Sequence, residues 1–156
     1  VNIPAATTMT VGYLTLIASV TLSDTTVNSD LAAENTNNPG QIASYADHIA
    51  RTRTAAVPWD SVPAMTAGTS YQSPSIVAPI QAEIDANGGT GSALIIFWED
   101  KDFESSLIAY RQVASWDHTT YAPPAIHIEY TTNATPDAPT SLGPSALASG
   151  SWTSIQ

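Results

Sequence analysis

The densest chemistry in this sequence is a run of acids: Glu99, Asp100, Asp102 and Glu104 fall within six residues, with Lys101 among them. Calcium favours such a loop, because the ion takes about six to eight hard oxygens at once. The spacing does not follow an EF-hand, Lys101 offsets part of the charge, and a solvated acidic turn is the simpler reading. Calcium on these four residues is the one cofactor the sequence leaves open; otherwise none is expected. Three histidines, His48, His118 and His127, stand too far apart for a tight ligand spacing and read as solvated side chains.

Sugar recognition needs flat aromatic faces beside a few polar groups. Trp116, His118 and Tyr121 lie in a segment between two strand-like stretches, and with Trp59 they are the candidate ligand-binding residues. Trp98 ends a strongly apolar run and is expected in the core. Nucleophilic catalysis would need a serine or similar group beside a base, and no Gly-x-Ser-x-Gly element or other recognisable context occurs. A glycosidase-type carboxylate pair is not excluded by count alone, but no catalytic residue is assigned and the chain is expected not to be an enzyme.

The elements that would position these residues follow from periodicity. Residues 10–22 alternate, with Leu14, Leu16, Ala18, Val20 and Leu22 on one face, as a long half-buried strand does. A weaker strand is expected at 25–33, a polar loop at 34–40, and a short helix or irregular crossing at 41–53. Residues 52–57 read as a strand and 58–74 as a long proline-rich connection. Pro79 opens a short helix over 79–86 that Gly88 and Gly89 stop. Residues 92–98 form a continuous apolar run, expected as a central strand buried on both faces, and 107–116 as another strand. Over 125–132, Ile126, Ile128 and Tyr130 should point inward and His127 and Glu129 outward. The expected core joins Leu14, Leu16, Val20, Leu94, Ile96, Ile126, Ile128 and Tyr130. The fold class is therefore all-β: an antiparallel, jelly-roll-like β-sandwich with one short helix over residues 1–132. Residues 133–156, rich in Pro, Ser, Ala and Gly, read as a linker or the start of a following domain; Asn133-Ala134-Thr135 fits a glycosylation acceptor.

Composition narrows the partners. Four basic residues against fourteen acidic ones give a net charge of −10. Nucleic acid is excluded, since neutralising phosphates takes Lys and Arg, and an anionic membrane surface is disfavoured for the same reason. No run approaches the roughly 18 apolar residues of a membrane span, so no insertion is expected. Cysteine is absent, which removes disulfides and thiolate sites. Charged residues are only 12% of the chain, with Thr, Ser and Ala in their place, a composition that suits displayed extracellular β-proteins.

Four stretches in order resemble the DNRLRE-type β-sandwich domains of secreted bacterial proteins, which are related to a family of carbohydrate-binding modules. Ile3-Pro4-Ala5-Ala6-Thr7-Thr8 looks like that family's lead-in, and Arg53-Thr54-Ala55-Ala56-Val57-Pro58-Trp59 like its middle motif. Residues 74–84 followed by Gly91-Ser92-Ala93-Leu94 resemble its helix and next strand, and 111–115 with 123–130 its closing pair. The literal DNRLRE-like string is missing, and the acidic loop departs from the pattern. The resemblance implies strands ahead of Ile3, so the segment reads as a piece of a longer polypeptide; the alternative is that a strand of another chain completes the sheet. Residues 136–142 look like the opening of a fibronectin-like or immunoglobulin-like repeat.

The expected function is a non-catalytic extracellular or virion-surface module, structural or adhesive, with polysaccharide as a candidate ligand. The alternative is a subunit of a phage virion or extracellular filament (a decoration, fibre or pilin-like protein) whose partners are other protein chains. A sugar binder should expose aromatics in a groove; an assembly subunit should expose a large apolar contact.

Overall fold

A computed structural model describes residues 2–23 and 26–132. The sequon at Asn133 and the repeat-like 136–142 segment lie outside the described residues. Those described build two antiparallel sheets of three strands, with little helix. The elements are β1 (Thr7–Ile17), β2 (Ser29–Ala33), α1 (Tyr45–Ala50), β3 (Val57–Trp59), β4 (Ser70–Gln72), α2 (Val77–Asn87), β5 (Ile96–Asp100) and β6 (Ala125–Thr132). The first sheet has the order β4-β1-β6 and the second β3-β2-β5. None of the described helices is long and apolar enough to cross a membrane.

β1 carries the expected alternation with one irregularity. Its register with β6 shifts between Met9 and Val11, a bulge that moves the inward set from Thr7 and Met9 to Gly12, Leu14 and Leu16. Past Ile17 the chain keeps only isolated bridges, Ala18 to Val113 and Leu22 to Met65. Leaving the sheet turns Val20 outward, so it is 41% exposed and not a core residue as the alternation predicted.

α2 is the expected helix. Pro79 sits in the first turn, where an N–H has no helical partner to lose, and Gly88, at φ +72°, closes it in the left-handed conformation. Ile80 and Ile84, one turn apart, are buried against β1 and β2. The helix also covers the stretch of β1 that the short β4 leaves open: Gln81 accepts from Met9 N and donates to Thr7 O, and Ile76 N donates to Gly12 O. Gly89 is obligatory, since a Cβ there would lie 2.7 Å from Ile3 O.

The core is continuous between the sheets: Met9 and Leu16 from the first, Leu31 and Trp59 from the second, with Val62, Met65, Ile76, Ile80 and Ile84. Leu14, Leu94, Ile96, Ile126 and Ile128 pack on it only partly buried, and Tyr130 is 40% exposed, outside the core it was expected to join. The reason is strand order. Only the end of the apolar 92–98 run, residues 96–98, enters β5, which is an edge strand paired with β2 alone, not a central strand covered on both sides. Residues 107–116, expected as a strand, keep one isolated bridge at Val113 and are otherwise irregular.

Candidate functional site

The loop after β5 is organised by Asp100. Its carboxylate accepts from Phe103 N (3.1 Å) and from the Ser105 hydroxyl (2.7 Å), while Ser106 N donates to Thr26 O. This tight path puts Asp102, Phe103 and Ile108 at φ +46°, +64° and +60°, the left-handed region that non-glycine residues avoid. Strain of that kind costs roughly 1–3 kcal/mol at each residue. The same path turns apolar side chains outward: Phe103, Leu107 and Ile108 are 95%, 93% and 90% exposed. Removing three such side chains from water is worth roughly 1.5–3 kcal/mol each, and nothing among the described residues covers them.

The four acids expected together are engaged separately. Glu99 is taken by the Arg53 guanidinium, with Nε 2.7 Å from Oε2 and Nη2 2.6 Å from Oε1, and that hydrogen bonding holds its carboxyl below the usual range. Asp100 is occupied by its own loop, and Glu104 lies 3.3 Å from Lys101 Nζ, which also reaches Asp60 at 3.0 Å. Asp102 is exposed. Among the described residues no three His, Asp or Glu side chains gather as a metal-ligand group.

The aromatic candidates separate in the same way. Trp59 is 6% exposed, stacked on Trp98 with ring centroids 5.3 Å apart; pairing of β3 with β2 turns it into the core, so it is not a surface ligand residue. Trp98 is half-buried, and its indole N–H donates to the Ser29 hydroxyl at 2.7 Å. His118 and Tyr121 do come together, stacked at 5.2 Å. However, His118 Nδ1 accepts from Thr120 N and Tyr121 N, so the imidazole shapes its own turn. Trp116 alone stands free in solvent, 87% exposed. His127 lies outward as expected, beside Glu129 at 3.0 Å and stacked on Tyr13.

A charged staple on the outer face of the second sheet was not anticipated. Arg51 reaches Glu34 (2.8 Å) and Asp47 (2.9 Å) and also donates to Gly40 O and Gln41 O. Arg53 lies 4.1 Å over the Phe97 ring while it holds Glu99, and His48 Nε2 is 3.1 Å from the same carboxylate. Glu34 is only 5% exposed, and Arg51 is its ion-pair partner. These contacts fasten α1 and the preceding loop to β2 and β5. The scarcity of cations was the available signal: two of the chain's four stand at positions 51 and 53.

Glu83 is the other buried acid, 1% exposed with neither carboxylate oxygen partnered. Burial pushes its carboxyl up to about 7.

Compared with known protein families, curated proteins and solved structures, the chain finds no match.

Proposed function

We propose that this chain is a non-catalytic structural module of an extracellular or virion-surface assembly, and that its partners are other protein chains. The observation that carries the reading is the apolar surface of the 101–110 loop, where Phe103, Leu107 and Ile108 are each at least 90% exposed. Clustered exposed apolar groups are a mark of surfaces that a partner covers, and strained backbone is concentrated at such functional sites. The small number of charges supports the same reading, because most described cations are spent on holding the fold: Arg51, Arg53 and Lys101 each bond carboxylates of their own chain.

The polysaccharide reading retains one specific support, the exposed Trp116 beside the stacked His118 and Tyr121. A single exposed ring gives a weaker platform than a row of them. The DNRLRE-type resemblance of the sequence fits either reading.

The test is a photocrosslinking side chain placed at Leu107, with Ala86, exposed on α2, as the control position, in the protein as its own host makes it. Adducts to a discrete polypeptide from position 107 and none from 86 support the reading. Retardation by soluble polysaccharide that Trp116→Ala abolishes, with no protein adduct at 107, replaces it with the sugar reading.

A further inference from the structure

One side of the sandwich is closed and the other is open. On the β3–β4 side, residues 60–69 bind the two sheets together: Met65 exchanges both backbone hydrogen bonds with Leu22, Val62 N donates to Val27 O, and Gly68 N to Ala18 O. On the opposite side, β5 and β6 are both terminal strands of their sheets. No described residue pairs with the outer edge of either. Between them lies an apolar groove of about 230 Å³, lined by Leu14, Leu94, Ile96, Pro124, Ala125 and Ile126. That exceeds the roughly 150 Å³ that accommodates a benzene ring in a protein core.

The groove has the features of a strand site. Its walls are sheet edges with unused N–H and C=O groups, which recruit a strand in preference to other ligands. β5, the edge to be extended, has no proline within it and turns the apolar Ile96 and Trp98 toward the core, so the proline that commonly keeps an edge from pairing is missing there. The inner residues of β6 lose cover in order along the strand: Ile126 and Ile128 are half-buried and Tyr130 is exposed. The missing cover is therefore an extended layer running beside β5. Charge adds a further constraint. The chain is at −10, and Asp100 and Glu129 are exposed on the two strands that form the rim.

We propose that the side of the sandwich between β5 and β6 is a strand-acceptor groove. Its occupant is a polypeptide strand supplied from outside these 156 residues, apolar at alternate positions and basic or uncharged between them. It extends the second sheet beyond β5 and lays its apolar side chains on Ile126, Ile128 and Tyr130. This deepens the reading of the chain as a protein-contact module and rests on it. The crosslink at Leu107 tests that reading at a different surface, so failure in the groove with the crosslink intact overturns the strand alone.

The experiment is amide hydrogen exchange on the full chain with a nine-residue synthetic peptide alternating valine with lysine or threonine. The expected result is slower exchange at β5 amides, by about tenfold when free peptide is about ten times its dissociation constant. A peptide of the same charge with proline at two central valines should give none, and one with glutamate for lysine should bind more weakly. Ile126→Lys should abolish the protection; should that variant not fold, the proline peptide still decides. No protection, or equal protection by the proline peptide, overturns the proposal. Edge protection without peptide also overturns it, because the occupant is then residues 133–156 if the effect is independent of concentration and a second copy if it grows with concentration.

Discussion

Replacing Glu83 by Met should stabilise the protein and remove a pH dependence that the wild type carries. The carboxyl is buried without a hydrogen-bond partner on either oxygen. Burial raises it from an ordinary 4.5 to about 7, because a low-dielectric site disfavours the charged form. Below the unfolded value both states are protonated and ionisation costs nothing, leaving only the desolvation of a neutral carboxyl. As pH rises from 4.5 to about 7 the unfolded chain ionises first, so stability falls across that window and is level above it. At about 1.4 kcal/mol for each pH unit of separation, the full cost is on the order of 3 kcal/mol. Asp47, Glu99 and Asp117, all held low chiefly by side-chain hydrogen bonds, contribute the opposite slope: their stability is present above the unfolded value and lost only as pH falls through the folded one. They cancel when wild type and variant are compared at each pH. Urea unfolding followed by tryptophan fluorescence should therefore give a variant-minus-wild-type difference near its minimum at pH about 4. By pH about 8.5 the difference should be larger by roughly 3 kcal/mol. Glu83→Gln should flatten the slope as well but gain less, since an unpartnered amide still costs about 1–3 kcal/mol. A difference that is the same at both pH values refutes the argument and means that water or a partner reaches the carboxylate.

Leu16→Ala should cost about 2–5 kcal/mol in the same assay, because Leu16 is 3% exposed; Ile128→Ala should cost clearly less, since it is only partly buried. Trp59→Ala should cost about 3–5 kcal/mol, whereas Trp116→Ala should stay within about 0.5 kcal/mol of wild type, a contrast that chemical denaturation reads directly. Arg51→Met should lower the thermal midpoint more than Lys101→Met, because only the first strands a buried acid, Glu34. Adding a chelator should leave the midpoint unchanged, given that Asp100 is occupied by Phe103 N and Ser105 and Glu99 by Arg53; a drop of several degrees would instead place a cation on that loop.

Much of the scaffold was legible from one-dimensional signals. The strand expected over 125–132 has the bounds of β6, and its alternation holds through Ile128 but not at Tyr130, while the proline and glycines around 79–89 bracket α2 within two residues. The long strand was placed correctly over most of its length, but its bulge and its departure from the sheet were not, since neither leaves a composition mark. Candidate ligand residues fared less evenly. Trp59 and Trp116 are the same residue type in similarly polar surroundings, yet one is stacked in the core and the other stands in solvent. The four clustered acids looked like one site because they are close in sequence; long-range partners, Arg53 from 46 residues away above all, divide them.

What the sequence by itself determined is what depends on composition and on neighbours along the chain: strand periodicity, helix limits, the acidic balance of charge, and the absence of cysteine. What only the tertiary structure decided is cover. Leu16 and Leu107 carry identical side chains, and each sits in an apolar-rich stretch, but Leu16 is buried in the core cluster with residues of α2 and the facing sheet, while Leu107 is left 93% exposed among the described residues. Likewise the run ending at Trp98 has the composition of a central strand and lies at an edge, because strand order is set by pairings between distant segments. Local pattern states which side chains gain from burial; the meeting of distant backbone edges decides which of them obtain it, and here it leaves β5, β6 and the Phe103 loop uncovered.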